Sequence, residues 1–305
     1  ARLARAVGAE IELFHALDPR VNFDALLLNA RDWRRREADQ RARCVDALDR
    51  LAAEVVGVKA TTAAEWDFPS YEAIVRRAQR IGADLIVAER HGGPHLAPHL
   101  LHLTDWELLR LSPVPVLLVK DPHPYRKPVV LAAIDPVHAF DKPGRLDEDI
   151  LGCGKTLARA LRGRLHVMHA YQPLSLSVPA EAWAPGVDLT AALRARAAAR
   201  ASAGMRRALR STRLPRGRCH LVARHPLDAI PDTARRTRSA IVVMGSVSRS
   251  GLKRLFIGNT AEQVLDRLAC DLLVIKPREF RSAVPRAVRS PRLALAAARL
   301  AALRR

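Results

Sequence analysis

The sequence predicts an α/β protein made of two tandem, doubly wound parallel-sheet domains. Short apolar runs of strand type alternate with helical stretches of ten or more residues, which is typical of parallel sheets with helices on both faces. The same order of elements occurs in both halves of the chain. Apolar residues make up 49% of the 305 residues and aromatic residues only 4%, so we expect an aliphatic core.

The chain is an internal repeat. Two of its blocks align between the halves without a gap, which places Val87 on Val243 and Thr104 on Thr260. Self-similarity at this distance predicts two copies of one fold. The blocks of the first copy are 83–87, 104–109 and 114–120, and those of the second are 240–243, 260–265 and 271–276.

A proline-rich and charged segment, 121–128, separates the copies and has the composition of an exposed boundary. We therefore predict a first domain over 1–122 and a second over 128–277. The second copy opens with a strand, 129–134, that has no counterpart in the first, where the chain starts at Ala1 in a helical stretch. Either the sequence is clipped upstream or the first domain lacks this strand. Because a doubly wound sheet without its middle strand would expose edges, we expect that the sequence is clipped.

The second copy carries a candidate anion site. In doubly wound sheets, ligands bind at the carboxyl ends of the strands, where the strand order reverses. Asp135 follows the first strand of this copy, and Gly245 closes its fourth. A glycine there lets backbone approach a ligand, and the start of the next helix, at Gly258 and Asn259, leaves N–H groups for phosphate. The pattern predicts phosphate binding at this edge.

Two segments, GNTAEQVLDRLACDLLVIKP and LTDWELLRLSPVPVLLVKD, are the most specific features of the chain. Through them it resembles the universal stress protein family, and the resemblance extends up to about Pro277. It implies a five-stranded, Rossmann-like parallel sheet that is usually dimeric. In many members it implies ATP binding through a Gly-x2-Gly-x9-Gly-Ser/Thr loop, with an aspartate after the first strand near the adenosine.

The resemblance places the phosphate half of such a site after the fourth strand. Gly245 and Gly258 match two of the three glycines and keep the family's spacing. Ser248 replaces the middle glycine and adds a Cβ where phosphate approaches. Asn259 replaces the Ser/Thr of the pattern and is followed by Thr260.

The resemblance places the adenosine half at two further positions. Asp135 matches the aspartate near the adenosine. Ala170 matches a position where members often have a valine whose backbone faces adenine. Together the residues imply a site for ATP or a related nucleotide or phosphate ligand.

The first copy departs from the pattern. Its corresponding positions hold Glu89, Gly92, His102 and Leu103. A carboxylate repels phosphate, and two glycines are replaced. We expect this domain to bind no ATP and to pair with the second in a pseudo-dimer, with a homodimer also open.

Four histidines, at 91, 95, 99 and 102, crowd one segment at helical spacing. Metal ligands need that spacing on one helix face, but Gly92, Gly93, Pro94 and Pro98 are expected to break a helix. We interpret them as loop histidines and expect no metal cofactor.

Two further motifs are set aside. Gly154-Lys155-Thr156 resembles the end of a P-loop, but Asp149 stands where the first glycine is required and the surroundings are helical. His166 and His169 lie three apart on a predicted strand, so they point to opposite faces and cannot chelate together. His169 is expected to be a core residue with its hydrogen bonds satisfied.

The sequence favours a regulatory binding protein of the stress response. It shows no arrangement of nucleophile, base and acid, so slow ATP hydrolysis is the most catalysis we expect. The alternative is a scaffold or interaction protein in which the loops of both copies are degenerate.

The chain has 51 Lys+Arg against 31 Asp+Glu, a net charge of +20. Solvated helix faces explain much of this excess. The segment 278–305 forms an Arg/Ala/Leu-rich tail that is either a loose extension or a basic amphipathic helix. Nucleic acid or an anionic surface is expected to bind only through this tail.

The remaining features indicate a cytoplasmic protein. No apolar run is long enough to span a bilayer, and no signal segment is present. Cys44, Cys153, Cys219 and Cys270 are far apart and form no CxxC pair, as expected for reduced, mostly buried thiols.

Overall fold

A computed structural model describes residues 1–18, 30–89, 98–137, 145–172, 189–246 and 259–288. By internal contacts these residues form two compact units. One contains 1–86, 98–114 and 281–288, and the other contains 87–89 and the described part of 115–280. The second unit thus takes in the last strand of the first copy.

The first copy alternates helices and strands as expected. The elements are α1 (Arg2–Val7), β1 (Ile11–Leu17), α2 (Ala30–Ala53), β2 (Ala60–Trp66), α3 (Ser70–Ile81), β3 (Ile86–Glu89), α4 (Pro98–Leu111) and β4 (Val116–Val119).

The second copy repeats this order after an additional opening strand. Its elements are β5 (Val129–Ala133), α5 (Leu146–Ala160), β6 (Arg164–Ala170), α6 (Leu189–Ala208), a 3-10 turn (Arg216–Arg218), β7 (Cys219–Val222), α7 (Pro226–Thr237), β8 (Ser239–Gly245), α8 (Asn259–Arg267) and β9 (Asp271–Ile275).

The strands of the second copy form a doubly wound sheet. Their order is β9-β8-β5-β6-β7, and all neighbouring pairs among them are parallel. From β5 the chain adds β6 and β7 on one side, and it then adds β8 and β9 on the other. The strand order therefore reverses between β5 and β8. Strand β9 is buried at every position, which explains its unbroken apolar run.

The first copy does not complete a sheet of its own in the described chain. Strands β1 and β2 pair in parallel as a separate two-stranded sheet. Strands β3 and β4 instead extend the sheet of the second copy, and β4 pairs antiparallel with β9. The division falls between β1 and β3, where a counterpart of β5 would lie. The antiparallel pair of β4 with β9 thus joins strands of the two copies in one sheet, which the sequence did not predict.

The interpretation of His99 and His102 as loop residues is wrong. Helix α4 begins at Pro98 and continues through His99 and His102. Proline is tolerated at the first position of a helix because its missing N–H has no partner there. The other two histidines of the cluster, His91 and His95, lie outside the described residues.

The interpretation of Gly154-Lys155-Thr156 as helical is confirmed. All three residues lie inside α5, which runs without interruption from Leu146. A Cβ built on Gly154 would lie 3.1 Å from the Leu165 side chain, so this glycine allows α5 to pack closely on β6.

The described part of the basic tail is packed rather than loose. Ser282 donates a hydrogen bond from Oγ to the Leu111 carbonyl at 2.6 Å. Val284 is 7% exposed. Residues 281–288 are not helical and belong to the first unit. Residues 289–305 lie outside the described part of the chain, so the amphipathic-helix alternative for them stays a prediction.

The four cysteines carry free thiols and are partly exposed. Burial raises the pKa of the Cys153 thiol to about 11. Burial also raises the pKa of Cys270 to about 11, with a further contribution from the neighbouring Asp271. Both thiols are therefore protonated, and so weak nucleophiles, at neutral pH.

Candidate functional site

The structure brings three of the predicted site residues to one edge of the sheet. Strand β5 lies between β6 and β8, and Asp135, Ala170 and Gly245 lie at or just beyond the carboxyl ends of these strands. This edge is the reversal point of the strand order, where ligands bind in doubly wound sheets.

Asp135 presents a half-exposed carboxylate at this edge. Its backbone N–H donates to Oδ1 of Asp147, in the first turn of α5, at 3.1 Å. Its side chain is 47% exposed, and Oδ1 lies 3.8 Å from Nδ1 of His169. The backbone is thus held by a second carboxylate, while the side chain faces solvent and can accept hydrogen bonds.

His169 supports the loop that carries Asp135. The ring is 2% exposed, and Nδ1 lies 3.1 Å from the carbonyl oxygen of Ile134. Because a carbonyl only accepts, Nδ1 carries the hydrogen. The expected burial of His169 in the core and a hydrogen bond at Nδ1 are therefore confirmed, and His169 is in addition a positioning residue next to Asp135.

The backbone of Ala170 is oriented by the register of β5 and β6. Ala133 pairs with Met168, and Ile134 donates to the Met168 carbonyl at 3.0 Å. Continued by one rung, this parallel ladder would need residue 136 to donate to the Ala170 carbonyl. Residue 136 is proline, which has no N–H. The Ala170 carbonyl therefore points toward β5, but the residue opposite it is Pro136, which has no N–H to donate.

Helix α5 packs closely on Gly245. A Cβ at this position would lie 2.7 Å from Cδ2 of Leu146 and 3.1 Å from Cδ1 of Ile150, both on α5. Contacts under 3 Å force a neighbour to move. The sequence pattern predicts only that a ligand approaches this glycine, and the structure adds that α5 packs directly on it.

Ser246 and Lys276 lie next to this edge and were missed by sequence reasoning. Both are buried, and Nζ of Lys276 donates to Oγ of Ser246 at 3.0 Å. The ammonium also lies 5.0 Å from the ring centroid of Phe280, within cation–π range. A buried cation thus stands at the carboxyl ends of β8 and β9, and only the pairing of these strands brings it beside Ser246.

Helix α8 begins at Asn259, which places Asn259 and Thr260 in its first turn. The N–H groups of a first helical turn have no partner inside the helix, and the positive end of the helix dipole lies there. The other two predicted phosphate residues, Ser248 and Gly258, lie outside the described residues.

The corresponding positions of the first copy lie at the end of β3 and inside α4. Glu89 is exposed at the end of β3, and Gly92 lies outside the described residues. His102 and Leu103, which align with Gly258 and Asn259, lie inside α4.

The other histidine of β6, His166, contacts a histidine of β7, the outermost strand of the sheet. Its Nδ1 lies 2.9 Å from Nε2 of His220 on β7, and the two rings stack with centroids 5.2 Å apart. His166 and His169 therefore have different partners, as expected for opposite faces. Burial lowers the pKa of both His166 and His220, and the nearby Arg164, Arg218 and Arg236 lower the pKa values further.

This pair makes stability depend on pH. Because the folded-state pKa values lie below the ordinary value of about 6.5, the unfolded chain binds more protons below that pH. We expect the free energy of unfolding to fall as pH decreases from 7 to 5, and the variant with both His166→Phe and His220→Phe to show a flatter dependence. Urea titrations at several pH values measure this; parallel profiles for the two proteins would contradict it.

The described residues also bear on metal binding and on membrane insertion. They hold no group of three or more His, Cys, Asp or Glu side chains arranged to bind a metal ion. Among the helices that the structure describes, none combines the length and the apolar character needed to cross a bilayer.

Comparison with known proteins agrees with the fold and the repeat. The model of the universal stress protein family matches residues 1–120 and again 146–276. Universal stress protein E of Escherichia coli K12 is 33% identical over 232 residues, which are 72% of this chain and 69% of that protein. A universal stress protein E homologue from Haemophilus influenzae is 27% identical to this chain. The match covers 70% of this chain and 68% of that protein.

Solved structures show the same architecture. A protein of unknown function from Pseudomonas aeruginosa PAO1 superposes with a TM-score of 0.67 at 24% identity, over 91% of this chain and 86% of that one. A universal stress protein from Archaeoglobus fulgidus gives a TM-score of 0.59 at 19% identity, over 90% of both chains. Since the family model matches both copies and universal stress protein E of Escherichia coli K12 is 33% identical to this chain over the aligned residues, this chain belongs to the universal stress protein family.

Proposed function

We propose that this chain acts in the stress response as a regulatory protein whose second domain binds ATP or a related nucleotide. The observation that carries the proposal is the pair of acceptors at the strand-order reversal. The Asp135 carboxylate is half exposed there, and the Ala170 carbonyl faces a proline that cannot donate to it.

The adenosine half of the ligand fits these acceptors. An adenine amino group could donate to the Ala170 carbonyl the hydrogen bond that Pro136 cannot supply. Ribose hydroxyls are donors that suit the Asp135 carboxylate. Asp147 and His169 hold the backbone on either side of Asp135, so the acceptors are positioned before a ligand arrives.

The phosphate half is proposed to lie at the start of α8. Asn259 and Thr260 belong to the first turn, whose N–H groups favour an anion. Gly245, Ser248 and Gly258 complete the proposed phosphate segment. The proposed activity is binding, with slow ATP hydrolysis at most, in the cytoplasm.

The adenosine half can be tested by Asp135→Ala in the full chain. We expect binding of adenosine and of ATP to weaken by about tenfold, since a hydrogen bond to a charged group is worth roughly 1.5 kcal/mol or more. Isothermal titration with each ligand, together with mass spectrometry of nucleotide extracted from the purified protein, measures this.

The matched control is Asp228→Asn. Asp228 lies on α7, is 46% exposed and pairs with Arg267, so the control removes one carboxylate of similar exposure away from the site. Nucleotide binding that is equal in both variants would overturn the assignment of Asp135. A protein that carries no nucleotide and ignores ATP would overturn the proposed function.

One observation favours the alternative of a scaffold. The close packing of Leu146 and Ile150 on Gly245 accounts for that glycine without any ligand. Strand β4 of the first copy is in addition built into the sheet of the second, as in a pseudo-dimer. The ATP experiment separates the two functions, because a scaffold needs no nucleotide.

A further inference from the structure

One edge of the second domain is strongly basic and contains no acidic residue. From Leu189 to Leu227 the sequence has ten arginines and no Asp or Glu. With 31 acidic residues in 305, the average for the chain would place about four in a stretch of this length. The stretch covers α6, the 3-10 turn and β7, which is the outermost strand of the sheet. We call this surface the arginine edge; its members are Arg194, Arg196, Arg200, Arg206, Arg207, Arg210, Arg213, Arg216, Arg218 and Arg224.

The arginine edge is open to solvent, and most of its charges have no acidic partner among the described residues. All its arginines except Arg218 are exposed, and Arg218 is partly exposed. Arg224 pairs with Asp232, and Arg206 donates to Ser202. Within the described chain no carboxylate pairs with the other eight. Elsewhere arginines commonly have acidic partners, as Arg77, Arg110 and Arg267 do.

Three of these arginines form a straight row. Arg196, Arg200 and Arg207 are spaced by four and seven residues in α6, so they lie on one face of the helix. Eleven residues of helix span roughly 16 Å. Duplex nucleic acid carries a charge about every 1.7 Å along its axis, so a row of this length meets several phosphates at once. Guanidinium groups suit phosphate because they donate two parallel hydrogen bonds.

The composition of the edge selects among polyanions. The stretch 189–227 contains no Phe, Tyr or Trp, and proteins that bind single strands stack bases on such rings. Among the large apolar side chains that the structure describes in this stretch, only Leu221 is substantially exposed, at 38%. A helix that inserts into a membrane surface needs a continuous apolar face. With single strands and membranes disfavoured, the row of arginines on α6 suits the phosphates of a duplex best.

We propose that the arginine edge binds the phosphate backbone of double-stranded nucleic acid without reading its sequence. This interaction is independent of the nucleotide site and of the tail beyond residue 288. Arg196, Arg200 and Arg207 supply the central contacts, with the neighbouring arginines beside them.

The test uses the full chain and a fluorescein-labelled 24-base-pair DNA duplex. Fluorescence anisotropy over a series of KCl concentrations gives Kd and its salt dependence. We expect log Kd to change linearly with log salt. Replacing Arg196, Arg200 and Arg207 by Gln is expected to weaken binding at least about tenfold and to reduce the salt slope by about 2 to 3. Thermal unfolding by circular dichroism checks that the variant is folded.

The matched control replaces Arg35, Arg36 and Arg43 by Gln. These are exposed arginines of α2, a helix in which acidic residues are interspersed. An equal loss in both triple variants would show that net charge alone acts and would overturn the proposal. Loss of binding when Arg289, Arg292, Arg299, Arg304 and Arg305 are replaced by Gln, with the α6 variant unaffected, would assign binding to the tail and overturn it as well.

Two further arms identify the partner. A duplex RNA of the same sequence is expected to bind with a similar salt dependence, since both duplexes offer phosphates. Vesicles of phosphatidylcholine with phosphatidylglycerol are expected to bind weakly. Binding to these vesicles without binding to either duplex, or no binding to duplex at low salt, would overturn the proposal.

Discussion

Replacing Arg76 by Met is expected to lower the free energy of unfolding by about 3 to 5 kcal/mol, because it leaves two buried carboxylates without their cation. Arg76 on α3 donates two hydrogen bonds to Asp67, each of 2.7 Å, and one of 2.9 Å to Glu72. The three side chains are 2%, 1% and 9% exposed. Arg76 also donates to the carbonyl of Pro285 at 3.1 Å, so it holds the segment after β9 to the first unit.

Urea unfolding followed by tryptophan fluorescence measures this loss. Three of the four tryptophans, at 33, 66 and 106, lie in the first copy, so the signal reports mainly on it. The matched control is Arg80→Met, on the same helix, whose side chain is 46% exposed and pairs with Glu65. An exposed pair contributes less than about 1 kcal/mol. Equal losses in the two variants would refute the role of the buried charge cluster.

A second set of variants separates charge from packing. When Asp67 and Glu72 are made neutral together with Arg76, by Asp67→Asn and Glu72→Gln, no unpaired buried charge remains. We expect part of the lost stability to return, since removing every charge of a buried group costs less than removing one partner. A triple variant less stable than Arg76→Met would contradict this explanation.

Replacing Asp271 by Ala is expected to lower the free energy of unfolding by a similar amount, about 3 to 5 kcal/mol, because it leaves several buried donors without an acceptor. Asp271 is 0% exposed at the start of β9. Its Oδ1 accepts from the backbone N–H groups of Lys120 and Asp121, at 2.7 and 3.1 Å. Its Oδ2 accepts from the Tyr125 hydroxyl. One carboxylate thus ties the end of β4 and the segment between the copies to β9.

Two milder variants grade this effect. Asp271→Asn keeps one oxygen for the backbone donors and is expected to lose about 1 to 2 kcal/mol. Tyr125→Phe removes one donor and is expected to lose about 1 kcal/mol. Burial and the Asp271 charge raise the pKa of the Tyr125 hydroxyl, so it stays a donor at all ordinary pH values. Urea titration of the three variants measures the series, and a loss for Asp271→Ala no greater than that for Tyr125→Phe would contradict it.

Neither of these sites could be predicted from the sequence. Asp271 occurs in an apolar run and Arg76 in an amphipathic helix with two other arginines, Arg77 and Arg80. Nothing local distinguishes Arg76, which is buried, from Arg80, which is largely exposed. The difference arises because Asp67, at the end of β2, and the segment after β9 both pack on one position of α3.

The candidate site was partly predictable. Asp135 and Gly245 could be placed at one edge because strands joined by helices run parallel and their carboxyl ends meet. The support of Asp135 by Asp147 and His169 depends on loop geometry and could not be predicted. The packing of α5 on Gly245 also depended on contacts outside the local pattern.

By itself, the sequence determined the alternation of strands and helices, the repeat, and the edge of the sheet where a ligand would bind. These follow from local composition and from the periodicity of apolar residues, which are properties of the sequence and need no knowledge of distant contacts. Only the tertiary structure decided that β3 and β4 join the sheet of the second copy and that β1 and β2 stand apart. Strand partners are chosen by packing between residues distant in sequence, and those contacts divide the described strands of the first copy between two sheets.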